Sequence, residues 1–374
     1  MLSVHVYDAQ GRHIGRIPAD PPSWKQTVSR AGGMTLGVPD SRQLRRLPLG
    51  SLLREYGSIW SVQDGRRVRH AGWLLHCKAT DEGLSLDVGD GWSIWDKRLV
   101  VRHGLMGSWH DGEVVIDEQH PPGDWVLTLT GTYRDIARGL LAEALKFGAL
   151  PYRLPDPQGG SAHVRDYDSW DFAPVGQRLS ELAGLEDGPE IRFDPLVEGD
   201  RLVWRLTVGE PEIVDSRWRM DLDRPGDRVT VTGLDADGGA MTGEVFGLGG
   251  RKEDTVLVAH TSSACLGDRG WPVLQSADTS HSTVSVLGTL QSHLADELRS
   301  GCRPQTTVGL RCPIGRDIHV GDWLDLKAGP AVDAGLSRMV LTARTGPGTI
   351  PLKVTDIAAD PGTGWQDLQT RVRW

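Results

Sequence analysis

Cysteine is scarce in this 374-residue chain: Cys77, Cys265, Cys302 and Cys312 are the full set. No two of them stand at C-x-x-C spacing, which excludes a zinc ribbon and a dense disulfide framework. The expectation is four reduced, partly buried thiols in a chain folded in a reducing cytoplasm. Lysine is scarcer than arginine, with seven of the 41 basic residues, a bias that reflects GC-rich coding more than function. Basic charge as a whole is in deficit: 50 acidic residues give a net charge of −9 and a pI near 5.7. A protein that grips duplex DNA through its phosphates is thereby excluded. No uncharged apolar run approaches the roughly 18 residues of a membrane span. The opening Met-Leu-Ser-Val-His-Val-Tyr alternates like a strand and has no basic segment leading into an apolar one, so no export signal is expected.

Glycine (47) and proline (22) are plentiful and 39% of the residues are apolar, enough for sizeable cores joined by many turns. Fourteen tryptophans outnumber five tyrosines and four phenylalanines together. Tryptophan fills cores, and it also suits glycan stacking and subunit contacts.

Three regions follow. Residues 1–98 read as a β-barrel-like domain, with short strands around Leu2–Tyr7, Ile14–Ile17, Leu52–Glu55, Ile59–Gln63, Arg67–Cys77 and Leu84–Val88 set between turn signals. Residues 99–213 form an α+β insert. Thr132–Phe147 is a helix with Ile136, Leu140, Leu141 and Leu145 on one face and Thr132 as N-cap; Val175–Leu185 is a second helix, followed by strands at Glu190–Phe193 and Arg201–Val208. Residues 214–374 return to β as a second barrel-like domain with one helix at 283–300 and strands that include Met339–Arg344 and Pro351–Ile357. An internal similarity sets Gly50-Ser51-Leu52, Gly72–Lys78 and Leu84–Val88 against Gly321-Asp322-Trp323, Ser337–Ala343 and Pro351–Thr355. The fold class is therefore mainly β, with two related antiparallel β-barrel-like domains flanking a small helix-hairpin module.

Chemistry is sparse. His103, His110 and His120 cluster without H-E-x-x-H or H-x-H spacing, and Asp64, Asp81, Asp87 and Asp90 lie in turns without calcium-loop spacing. Ser51, Ser108 and Ser169 lack a G-x-S-x-G elbow, and Gly247-Leu248-Gly249-Gly250 lacks the register of a nucleotide loop. His110 with Asp111, or Asp166 with Asp168, are acid–base candidates by adjacency alone, as is expected by chance among so many carboxylates. Arg299, Arg303 and Arg311 form no basic run with interleaved aromatics, which argues against a single-strand nucleic-acid groove. No catalytic, cofactor-binding or metal residues are assigned, and no small-molecule substrate is expected.

The order of elements resembles a known family. It runs through the strand Gly72-Trp73-Leu74-Leu75, the Thr132-Tyr133-Arg134-Asp135-Ile136-Ala137 helix start, Tyr167-Asp168, the Gly188–Phe193 strand, the Thr283–Ser300 helix and Ile318–Leu324. Over most of its length the chain resembles the minor tail proteins of siphophages that infect actinobacteria, and baseplate hub (tail-associated) proteins more broadly. The resemblance implies a homotrimer in which two barrel-like domains per chain build a pseudo-six-fold ring. Such a ring closes or extends the tail tube at the virion tail tip, is assembled in the host cytoplasm, and meets DNA only in transit. It implies a distal tail protein above, fibre or tip proteins below, and contact with the tape-measure protein. Relatives often carry a C-terminal peptidase, lytic or fibre domain; this chain stops at Trp374, so an enzymatic extension is not expected. Two other readings stand beside it: a glycan-binding or glycan-cleaving tail protein using exposed tryptophans such as Trp109 and Trp125, and a hexameric distal tail protein.

Overall fold

The computed structural model describes residues 2–42, 44–108, 122–160, 163–185, 187–252, 255–280, 287–330 and 334–373. The first part of the chain builds β1 (Leu2–Asp8), β2 (His13–Ile17), β3 (Ser23–Thr27), β4 (Arg30–Pro39), the one-turn helix α1 (Leu49–Leu52), β5 (Ser58–Asp64), β6 (Arg67–Thr80) and β7 (Gly83–Gly89). Alternation decides the faces. On β5, Trp60 and Val62 point into a core with Val4, Val6, Trp24, Met34, Leu36, Val38, Leu86 and Val88, while Ile59 points to the opposite face and a different core. Strand β5 is therefore buried on both sides. At Gly72 of β6 an added Cβ would fall 1.3 Å from the Gly89 carbonyl oxygen, so only glycine permits this approach.

Next come β8 (Val126–Gly131), α2 (Tyr133–Leu145), β9 (Tyr152–Arg153), β10 (His163–Asp168), α3 (Val175–Ala183), β11 (Ile191–Glu198) and β12 (Arg201–Val208). Thr132 caps α2 in a reciprocal box: its hydroxyl accepts from the Asp135 amide at 3.2 Å and the Asp135 carboxylate accepts from the Thr132 amide. The inward face of α2 packs chiefly across β8 and α3, and more lightly on β12, in a core shared with Trp73, Trp92 and Trp95. Trp73 stacks on Trp204 with ring centres 5.6 Å apart, and Tyr152 stacks on Trp204 at 5.0 Å. The tryptophan surplus is thus mainly core filling: Trp24, Trp60, Trp73, Trp92, Trp95, Trp125 and Trp204 are all buried.

The last part contains β13 (Arg217–Asp221), β14 (Thr230–Asp237), β15 (Glu244–Lys252), β16 (Thr255–Ser262), β17 (Gln275–Asp278), α4 (Leu287–Gly301), β18 (Gln305–Pro313), β19 (Trp323–Ala328), α5 (Leu336–Thr345), β20 (Gly348–Asp360) and β21 (Trp365–Val372). Between β14 and β18 the chain leaves the large sheet and makes a three-stranded sheet of its own, β16-β15-β17, covered by α4. The small core there is Val245, Leu294 and Leu298. Gly247-Leu248-Gly249-Gly250 lies inside β15, where a Cβ on Gly247 would meet Leu294 at 2.6 Å; these glycines admit a helix rather than a nucleotide.

Three expectations are corrected here, the strand at Leu52–Glu55 among them, since Leu52 ends α1 and the next strand starts at Ser58. Cys265 and Cys302 form a disulfide across 37 residues, because the ends of β16 and α4 converge; Cys77 and Cys312 are free. Residues Met339–Arg344 lie within helix α5, which buries only Leu341, so the short apolar run Met339-Val340-Leu341 carries too weak a period to separate helix from strand.

The molecule is mainly antiparallel β with a small helical insert. Its two terminal parts share one strand order. The first runs β3-β4-β7-β6-β5-β1 and the second β14-β18-β21-β20-β19-β13. Both long central strands bulge at the same place, β6 at Leu75 and β20 at Thr355. Aligned on the bulges, buried Met34, Leu36 and Val38 followed by Pro39 match buried Val308, Leu310 and Cys312 followed by Pro313, and Trp60 and Val62 match Leu324 and Leu326. One difference is direction: β1 pairs antiparallel with β5, β13 parallel with β19. The residue matches expected from sequence are corrected, since Gly50-Ser51-Leu52 lies in α1 and Ser337–Ala343 in α5.

Candidate functional site

The feature that sets the architecture is the seam where the two β-parts become one sheet. After its bulge, β20 takes β3 as a neighbour, pairing Asp356 with Thr27, Ile357 with Gln26, Ala358 with Lys25 and Ala359 with Trp24. The Thr27 hydroxyl donates to Asp356 Oδ1 at 2.8 Å and the Val28 amide donates to the Thr355 carbonyl at 3.0 Å. Trp24 and Ala359 are buried in one core and Val28 packs against the other, so the seam joins the two cores, while Lys25 and Ala358 on its other face are exposed.

The insert fastens the seam with charge. Ser29 and Ile191 exchange two bonds of 2.9 Å, which carries β11 up to the end of β3. The next residue, Arg192, donates to Asp194 at 2.5 Å, to Asp215 at 2.7 Å and to the Val320 carbonyl at 2.7 Å. Asp322 lies 3.7 Å from the same guanidinium and accepts from Trp218 Nε1 at 2.9 Å. Lys353 reaches Glu190 at 2.8 Å and the Ile213 carbonyl at 2.5 Å. Burial opposes the charge on Arg192, but Asp194 and its neighbours outweigh it and hold the guanidinium above its ordinary value. Burial likewise works against Asp194 and loses to Arg192, leaving that carboxyl low. Asp322 is pushed up by burial. His70, wholly buried and stacked on Trp24, is driven down to about 3 by desolvation and stays neutral. These are fixed, mutually compensated charges; they orient three modules against one another and place no activated nucleophile beside a base.

The sequence candidates do not gather around this network. His110, Asp111, His120 and Trp109 lie outside the described residues. His103 packs its ring edge-on against Phe147 at 4.8 Å. Asp166 accepts from the Thr128 hydroxyl at 2.6 Å and sits exposed on β10, two residues from Asp168. Ser169 is buried and accepts from the Arg102 amide at 3.1 Å. Asp87 faces His76 at 3.3 Å. Asp90, half-buried with its carboxyl raised by desolvation, accepts from the Gly32 amide at 2.6 Å. Arg311 pairs with Asp367 at 2.7 Å. Trp125 is 7% exposed, which removes it as a glycan platform. Among the described residues no three His, Cys, Asp or Glu side chains converge as a metal ion requires. Sequence reasoning missed Arg192 and Asp322; the signal available was Arg-x-Asp in a β-rich strand, which is too common to single out.

Three solved structures have a similar fold over almost the whole chain. A prophage tail protein of Listeria monocytogenes EGD-e superposes with a TM-score of 0.54 at 11% identity, covering 99% of this chain and 94% of that one. The tail protein of Neisseria meningitidis MC58 gives 0.54 at 13%, covering 100% and 96%. The 43 kDa tail protein of prophage MuSo2 from Shewanella oneidensis gives 0.58 at 10%, covering 100% and 98%. The fold is shared with phage tail proteins. No family model and no curated protein matches the sequence. At such identities the likeness is one of fold alone.

Proposed function

We propose that the chain is a structural tail-tip protein of the baseplate-hub kind, a homotrimer whose six β-domains form a pseudo-six-fold ring. The observation that carries this is the repeated strand order, with its bulge in the same position, joined within one chain by the β3–β20 seam. Two equivalent domains per chain need three chains to fill six places, whereas a hexamer of this chain would fill twelve. The net charge of −9 suits a conduit through which DNA passes without sticking. In this reading the insert lies outside the ring, a distal tail protein stacks above, fibre or tip proteins attach below, and the tape-measure protein is met in the lumen. The site is the virion tail tip.

Light scattering of the purified protein should give a mass of about three chains, and negative-stain images should show rings with an open centre. A monomer independent of concentration counts against the reading. No catalysis is expected. Incubation with host-type peptidoglycan and capsule polysaccharide should release no reducing ends or free amines above a heat-inactivated control. Release that is lost in His110→Ala or Asp111→Ala would replace this reading with an enzymatic one.

A further inference from the structure

The seam has an unfilled counterpart. On β20 the β19 ladder stops at Lys353, and beyond the bulge β3 occupies the same edge. On β6 the β5 ladder stops at Trp73, and beyond the bulge the corresponding edge over Leu75–Thr80 carries no strand among the described residues. Among the described residues, no backbone hydrogen bond outside the β7 ladder reaches Leu75–Thr80, and all six residues are exposed except half-buried Cys77. The equivalent of β3 in the second β-part is β14. Among the described residues it ends the sheet, paired only with β18 and flanked by α5. Each chain thus presents one copy of each half of a joint that it has already made once internally.

We propose that β14 of one copy of this chain adds antiparallel to Leu75–Thr80 of the next copy, in the register of the β3–β20 seam. The proposal rests on the ring reading and names the strands that would close it. The register follows from shared partners. Trp24 faces Met34 as Leu234 faces Val308, and Lys25 faces Gly33 as Asp235 faces Thr307. His76 follows its bulge as Asp356 does, and Lys78 corresponds to Ala358. Transferring the seam therefore sets His76 opposite Asp237, Cys77 opposite Ala236, Lys78 opposite Asp235 and Ala79 opposite Leu234.

This register, set by shared partners alone, places Lys78 opposite Asp235, His76 (3.3 Å from Asp87 within its own chain) opposite Asp237, and two small or apolar side chains opposite two others. A slip of one residue sets Lys78 against Ala236 or Leu234 and loses the match. The occupant is accordingly a second copy, since the edge strand that fits is this chain's own. The contact is head-to-tail, so it must close into a ring or run on as a filament. Main-chain bonds supply the joint and the alternating pairs fix its register.

The test uses the full chain with Cys77→Ala. Combining Lys78→Cys with Asp235→Cys should give, on mild oxidation, a covalent ladder on non-reducing gels that ends at the closed species. Neither cysteine alone should do so, nor should Lys78→Cys with Leu234→Cys. In the native background, Lys78→Glu or Asp235→Lys should each raise the concentration needed for assembly by about tenfold at low salt, and the two together should restore it. An oligomer that ignores both reversals and does not cross-link overturns this pairing while leaving the ring reading in place. A monomer at every concentration overturns both.

Discussion

His70 shows what a single buried side chain does to the pH response. Its ring lies between Trp24 and the insert, with Gln26 at 3.5 Å from Nδ1 and no partner on Nε2. Because its folded value is about 3 against 6.5 unfolded, the unfolded chain binds a proton below 6.5 that the folded chain refuses. Stability is therefore lost as pH falls from 6.5 towards 3. His70→Gln should remove this contribution: between pH 7.5 and 4.5 the variant should gain about 2–3 kcal/mol relative to wild type in urea unfolding. Asp90 and Asp322, which burial raises, titrate in both proteins and cancel in the comparison. Arg192 acts differently. Arg192→Met strands Asp194 and Asp322 in the interior and should cost about 3–5 kcal/mol, little altered by salt. An unchanged melting temperature would show that the network is not a fastening.

At the scale of elements, helix α2 and the β15–β17 module make contrasting cases. Leu141 is fully buried in the insert core, so Leu141→Asp should destabilise by several kcal/mol, about 4 by the usual cost of an unpaired buried charge. Melting like wild type would show that the helix face is misassigned. Thr132→Ala removes the cap and should cost about 1 kcal/mol. Among the described residues the module carrying α4 buries few apolar side chains of its own, Val245, Leu266, Leu290, Leu294 and Leu298, and has a disulfide closing 37 residues. Cys302→Ser should then loosen that module by about 3 kcal/mol, seen as faster amide exchange in β15 and α4 with the large sheet unchanged.

At the scale of the molecule, the mainly β class, the helix α2 with its cap, and the alternation of β7 were legible, because period and capping are local properties. Helix α5 was not, since one buried residue leaves almost no periodic trace. The relation between the two β-parts shows in the sequence only out of register. Its real markers, Val38-Pro39 against Cys312-Pro313 and the two bulges, are pairwise properties of strands far apart in sequence. The seam was illegible because its partners lie more than three hundred positions apart, and Arg192 because, beyond its near neighbours Asp194 and Asp215, it is fixed by Val320 far along the chain.

That distance also bears on synthesis. Thr27 and Asp356 are separated by 329 positions. At roughly 5–20 residues per second, β3 leaves the ribosome about 15–65 s before the strand that will cover it exists. Through that interval it is a bare edge beside a partly formed sheet, the situation in which nascent chains seize one another. Lys25, one of only seven lysines, stands exposed in the middle of β3, opposite Ala358 once the chain is complete. A charged lysine on an open edge discourages wrong pairing, and here its task is temporary, ending when β20 arrives. Lys25→Val should therefore lower the soluble yield on expression while leaving the melting temperature of the molecules that do fold nearly unchanged.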